Sequence, residues 1–420
     1  MRKSALLSMI VVVLLAAPVV WAGGQSEPAA ETAQSSSSGS DDSQFELAAG
    51  VSTDGGAEYN NPELPEQYQG QSAPAGAGRS FETNFSRATI SFSDIISGGP
   101  PKDGIPSIDD PSFVSISEAD TWLEDKEAVI VFSATEGPSG PTHIYPIRIL
   151  MYHEIVNDVV GDTPVTVTYC PLCNTGVAFH RVFDGTVMDF GTTGRLRYSN
   201  LIMYDRQTET WWQQATGRAI AGEYAGGQLK LLPTLFLSWE DAKERFADAQ
   251  VLSRDTGFGR PYGSNPYTGY DTANRPFLYR GPELDSSRDP LSRVLTVYVN
   301  DGEAGFSYED LQEQRVMEQT VGGRKVVAFW ESGTASALDA GNVAGGRDVG
   351  TANAFFAEHD GRTMEFTVRN GAIVDTNTGS EWDVSGRAVS GELEGASLSP
   401  VNSIQHFWFS WAAFRDANTQ

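Results

Sequence analysis

"PVTVTYCPLCNTGVAF", residues 164 to 179, reads as a strand, a turn and a second strand. "TVTYC" alternates apolar and polar residues with β-branched side chains at the pleat, and "NTGVAF" leads out of the turn into another strand rather than a helix. Further short strands follow in "VMDFG", "NLIMYD" and "MEFTV", separated by Gly and Asp-Gly punctuation that favours tight antiparallel connections. Helices are few. Runs from Ser115, Ser238 and Ser307 each open with a Ser followed three residues later by an acid, the mark of a capped helix start, and "IRILMYHEIV" stands where the Ser307 run has its counterpart. The expected class is α+β, mainly antiparallel β.

The chain also resembles itself. "GTVMDF" (185 to 190) returns as "GRTMEF" (361 to 366), "GRAIAGEYAGGQL" (217 to 229) as "GRAVSGELEGASL" (386 to 398), and "DRQTETWW" (205 to 212) as "DTNTGSEW" (375 to 382). "LSWEDA" (237 to 242) matches "FSWAAF" (409 to 414). Matches in constant order predict two tandem diverged repeats, each a small sheet or barrel-like unit. Carried backwards at an offset of 161, the register sets Cys170 over Glu331, Cys173 over Thr334 and His153 over Gln314. The second copy thus has the frame without the sulfur ligands, and reads as architectural.

The N-terminus, with Arg2 and Lys3 before an apolar run from Ala5 to about Val20, has the layout of a secretory signal peptide over residues 1–22. Export to a periplasmic or extracellular space follows, with no membrane insertion after cleavage and with disulfides permitted. Residues 23–79 are rich in Ser, Gly, Pro and acid, and read as a disordered acidic tether. The first repeat is placed at 80–255, a Tyr/Gly/Pro-rich connecting segment at 256–290, and the second repeat at 291–420. That connecting segment is read as a linker in preference to a lid. A net charge of -26, with 55 acidic residues spread along the chain, disfavours nucleic acid or an anionic membrane as partner.

With "YPIRIL", "HEIVND", "YCPLC", "SNLIMYDRQTETWWQQATGRAIAG", "LLPTLFLSW" and "TGFGRPYGSNPYTGYD" in order, the chain from about Ile105 onward resembles domain-of-unknown-function family 3179. The resemblance implies export in many members and directs attention to the "YCPLC" element, without carrying an activity. His180 departs from the family pattern, which has Asp there, so a site does not rest on His180 alone.

The chemistry centres on the only 2 Cys of the chain, Cys170 and Cys173. Three readings stay open, and with them whether the protein is an enzyme. The favoured one is a soft transition-metal site, copper or zinc, with Cys170 and Cys173 as thiolates, His153 as nitrogen ligand and His180 as a fourth candidate. The alternative is a thiol–disulfide oxidoreductase with Cys170 as attacking thiol, although the βαβ context of such motifs is missing. A binding scaffold with a structural disulfide is the third; a loop this short contributes about 2 kcal/mol or less. Arg195, Arg197, Asn200 and Asp205 form a candidate anion clamp. No haem is expected, because Asn174 rather than His follows the second Cys, and no nucleotide motif occurs.

Overall fold

The computed structural model describes residues 54–135 and 140–417. The expected signal peptide and the tether up to residue 53 lie outside the described residues. Strand Thr163–Cys170 pairs antiparallel with Thr175–His180, Cys170 standing opposite Thr175, and with Ile155–Val160 on its other edge. Both strands of the hairpin are buried almost throughout, so their Thr, Val, Ala and Phe side chains pack on both faces of the sheet. Helix Ile147–His153 precedes them and stops at Glu154, which adopts a left-handed conformation (φ 58°) and turns the chain into the sheet.

The second half runs through the same succession. Strand Gly302–Ser307, helix Tyr308–Gln314, a left-handed Arg315 (φ 62°), strand Val316–Val321 and strand Arg324–Glu331 follow in order. The turns between the last two strands in each half are set by Gly161 (φ 59°) and Gly322 (φ 53°). The capped starts form as the sequence predicts: Ser115, Ser238 and Ser307 accept the amides of Glu118, Asp241 and Asp310. Downstream, strands Phe190–Arg197, Asn200–Asp205, Trp211–Gln213 and Arg218–Ala221 build one meander, and Phe366–Arg369, Ala372–Asp375, Glu381–Trp382 and Ala388–Ser390 another. Each is bulged at its third strand, and each ties a buried indole to an Asp, Trp212 to Asp205 at 2.8 Å and Trp382 to Asp375 at 3.1 Å.

Each half closes on a strand that reaches the other half. Leu235–Ser238 pairs with Ala128–Ser133, while the amide of Phe236 donates to Asn353 Oδ1 at 2.8 Å. Ser403–Phe407 pairs with Arg293–Val299 and, through Gln405, with Gly176 of the cysteine hairpin. The hairpin thus lies inside a seven-stranded sheet with strands from both halves. The helices begin at Trp239 and Trp408, directly after these strands, so the structural match is Trp239 with Trp408 rather than with Trp411. Among the described residues the strands form several small sheets and no closed barrel, which corrects the barrel-like expectation.

Two segments differ from their sequence expectation. Residues 54–79 are not a tether: Ala77 is fully buried beside Phe81 and Phe85, Gln69 Nε2 donates to the carbonyl of Ala88, and Tyr59 reaches the carbonyl of Ala225. The Tyr-rich segment from 256 covers the cysteine hairpin, as described below.

Gly176 is needed where the closing strand of the first half crosses the hairpin. A Cβ there would stand 2.1 Å from Cζ of Phe236. Gly176→Ala is expected to cost about 1–3 kcal/mol through overpacking, read as a lower urea midpoint with unchanged slope.

Candidate functional site

Cys170 ends the first strand of the hairpin, and Pro171, Leu172, Cys173 and Asn174 make its turn, with Asn174 left-handed (φ 48°). Tyr169 OH donates to Asn174 Oδ1 at 3.0 Å, and the Phe407 amide, from the closing strand of the second half, donates to the Cys173 carbonyl at 2.8 Å. Both sulfurs are buried, Cys170 at 1% and Cys173 at 0% exposure. The pair sits at a hairpin turn. Side-chain donors, rather than a helix N-terminus, therefore face the sulfur at this turn.

Those donors are fixed in orientation by a chain of amides. Gln214 Nε2 donates to the Thr175 carbonyl at 3.0 Å and to Thr168 Oγ1 at 2.9 Å, which leaves Gln214 Oε1 as acceptor. Asn200 Nδ2 meets that oxygen at 2.7 Å, and Asn200 Oδ1 accepts the Ala215 amide at 3.0 Å and Gln213 Nε2 at 2.5 Å. A backbone amide can only donate, so the oxygen of Asn200 must face Ala215. Its second N–H is thereby aimed at Cys173 Sγ, 2.9 Å away.

Asn200 is delivered by an unusual turn. Tyr198 (φ 52°) and Ser199 (φ 64°) are both left-handed, the geometry of a tight hairpin that Asn-Gly fills most easily. The corresponding turn of the second meander is Asn370 and Gly371. Holding two ordinary side chains there costs energy, and fully buried Ser199 is tied down by its hydroxyl to the Phe277 carbonyl at 2.5 Å while its own carbonyl faces Cys170 Sγ at 3.9 Å.

The two thiols differ as a result. Burial pushes Cys173 up, but hydrogen bonds from Cys170, Thr175 and Asn200 outweigh it and bring the thiol below its ordinary value. Burial, the hydrogen bond with Cys173 and the charge of Cys173 and Glu154 push Cys170 well above it. Cys173, rather than the expected Cys170, is the better-stabilised thiolate. Glu154, buried and close enough to feel Cys173, is raised by burial and by that thiolate to about 8.

The remaining candidates are placed elsewhere. His153 is fully buried with both nitrogens engaged, Nδ1 with the Pro106 carbonyl at 2.7 Å and Nε2 with Tyr262 OH at 2.5 Å. His180 Nδ1 accepts the Val182 amide at 3.1 Å, on the far end of its strand. No three His, Cys, Asp or Glu side chains stand together as a metal-ligand group among the described residues, so the Cys170, Cys173 and His153 set is not assembled. Arg197 stacks on Tyr198 and faces Asp94 at 3.7 Å, Arg195 pairs across to Ser97, and Asp205 caps the turn at Thr208. Of the candidate anion clamp only Asn200 reaches the cysteines.

Sequence reasoning missed the residues that complete the site: Gln213, Gln214, the proton on Glu154, and buried His406, whose Nδ1 lies 3.1 Å from Thr175 Oγ1 and which burial lowers to about 3. It also took the cover for a linker. Tyr270 OH donates to the Leu172 carbonyl at 2.7 Å; burial raises the phenols of Tyr267 and Tyr270, with smaller contributions from Glu154 and Cys170 at Tyr267 and from both cysteines at Tyr270. Tyr density at 262, 267 and 270 was the available signal.

These blocks, in this order, decide the relationship. The chain belongs to the family described as "Protein of unknown function (DUF3179)", whose profile matches residues 102–418. No curated protein and no solved structure matches it. Within the family frame, no helix among the described residues is long and apolar enough to cross a membrane.

Glu154 makes stability pH-dependent with a definite sign. Its folded value of about 8 lies above its ordinary 4.5, so between those values the folded state holds a proton that the unfolded state has lost. Its contribution is fully present below pH 4.5 and is lost as pH rises through 8. Glu154→Gln is expected to flatten this part of the curve, measured as urea midpoints across that range.

Proposed function

We propose that Cys170 and Cys173 form a covered thiol–disulfide couple in an exported protein, with Cys173 as nucleophile and Cys170 as the resolving thiol. The observation that carries it is the N–H of Asn200, locked by Gln214 and Ala215 and aimed at Cys173 Sγ at 2.9 Å. A structural disulfide needs no oriented donor at one sulfur, whereas a nucleophilic thiolate does.

Support also comes from reading the two halves as diverged copies of one unit. In the offset-161 register Glu154 corresponds to Arg315 and Cys170 to Glu331. Arg315 Nη2 and Glu331 Oε1 form an ion pair at 3.5 Å. The left-handed cap residue therefore reaches the end of the strand in the second half, and the same backbone in the first half sets a carboxyl beside Cys170. That pair has exchanged charge partners for an acid and a thiol.

The step with a disulfide substrate balances as follows. The Cys173 thiolate attacks one sulfur of the substrate and forms a mixed disulfide; the departing thiolate takes the proton of Glu154, whose acidity rises once the Cys173 charge is gone. The Glu154 carboxylate then takes the proton of Cys170. The Cys170 thiolate attacks Cys173 Sγ, closes the protein disulfide and releases the second substrate thiol, which is protonated by water. Two protein thiols are oxidised and one substrate disulfide is reduced.

A soft-metal reading now rests on the two sulfurs alone, and suits a two-coordinate monovalent ion better than zinc. Metal analysis of reduced protein, with and without added copper, separates it from the redox reading.

With a small disulfide such as oxidised glutathione, Cys170→Ser is expected to accumulate a mixed disulfide at Cys173, and Cys173→Ser to accumulate none. Redox titration should give a potential above about -300 mV. A potential below that value, with neither thiol reacting in the native protein, contradicts the proposal.

A further inference from the structure

A cleft of about 360 Å³ opens between the first-half strands and the loop after Ser385, and neither cysteine lines it. Its wall is mixed. Phe246, Phe355 and Leu398 supply an apolar side, while Lys230, Arg387 and His180 lie on the polar side. In a chain of net charge -26, Asp54 is the only acidic residue among the described residues that line this cleft, beside Lys230, Arg245 and Arg387. The cleft is thus locally inverted in charge.

The polar groups differ in how far they are committed. Arg245 is held by Asp383 at 2.5 Å and by Glu244 at 3.0 Å. Among the described residues Lys230 Nζ gives one hydrogen bond, to the Gly55 carbonyl at 2.6 Å, which leaves two of its three donors for a ligand. The guanidinium of Arg387 has no hydrogen bond or ion pair among the described residues, although its backbone is anchored to Asp383 and Ser397. His180 is 4% exposed, and because its Nδ1 accepts the Val182 amide, its proton sits on Nε2. That N–H has no partner among the described residues and belongs to a side chain that lines the cleft. Nε2 is not sealed in the protein interior, so its N–H is presented to the cleft, where a ligand oxygen can accept it. The amide of His180 donates to the Lys230 carbonyl at 2.9 Å, so the strand pairing holds the two side by side.

We propose that this cleft binds a small amphipathic carboxylate, its head meeting Arg387, Lys230 and the Nε2–H of His180 and its apolar tail lying on Phe246, Phe355 and Leu398. An acyl or aryl chain of roughly eight carbons fits a volume at the small end of ligand pockets. The planar guanidinium matches a carboxylate, and the three donors together reject a neutral or cationic head. This site is independent of the cysteine couple.

Titration calorimetry of the full mature chain with octanoate, octanol and octylamine tests it. Octanoate is expected to bind at least tenfold more tightly than octanol, with octylamine weakest. Arg387→Gln and Lys230→Gln are expected each to weaken octanoate about tenfold or more, leaving octanol unchanged. Circular dichroism of both variants establishes that they are folded. Octanoate binding no tighter than octanol, or folded variants binding octanoate as well as the parent, overturns the proposal.

Discussion

A hairpin buried on both faces has to satisfy every polar group of its turn from within the protein. That constraint organises the cysteine site. The carbonyl of Cys173 is met by the Phe407 amide from the second half, the carbonyl of Thr175 by Gln214, and the carbonyl of Leu172 by Tyr270 from the covering segment. Each of these partners belongs to a different part of the chain. Satisfying the turn therefore assembles the sheet, the meander and the cover around one pair of sulfurs.

Polarity at the sulfurs follows from the same contacts. Because Gln214 is committed to Thr175, its oxygen is left for Asn200; because Asn200 is committed to Ala215 and Gln214, its remaining N–H has only Cys173 to meet. At Cys170 a backbone hydrogen bond from Leu201 is outweighed by burial, by Cys173 and by the carboxyl of Glu154, and the sulfur faces the carbonyl of Ser199. The second half lacks this arrangement. Asp383 and Val384 stand where the first meander has Gln213 and Gln214, and the strained Tyr198 and Ser199 turn is replaced by Asn370 and Gly371. The Tyr198 and Ser199 turn and the Gln213, Gln214 and Asn200 amide chain thus have no counterpart in the second meander.

Local signals in the sequence carried much of this. The hairpin of 164 to 179, the Ser-capped helices and the buried Trp211, Trp212 and Trp382 all follow from periodicity, capping residues and aromatic content near in sequence. What escaped depends on side chains meeting across elements. His153 ends a helix beside the cysteine strand, yet the left-handed Glu154 turns the backbone so that Glu154 sits by the sulfurs and His153 faces Pro106 and Tyr262. Residues 54–79 look disordered by composition, and a few contacts by Tyr59, Gln69 and Ala77 are enough to dock them. The amide chain from Thr175 to Cys173 joins residues up to 39 positions apart, and no motif records it.

The central claim is that one sulfur of the pair is a stabilised thiolate and the other a protonated thiol. Carbon-13 NMR of reduced protein labelled at the cysteine Cβ, followed over pH and assigned with single Cys variants, reads each sulfur separately. The account predicts that Cys173 titrates below the ordinary thiol value while Cys170 stays protonated well above it. Two cysteines that titrate together near the ordinary value, or Cys170 titrating first, would contradict it.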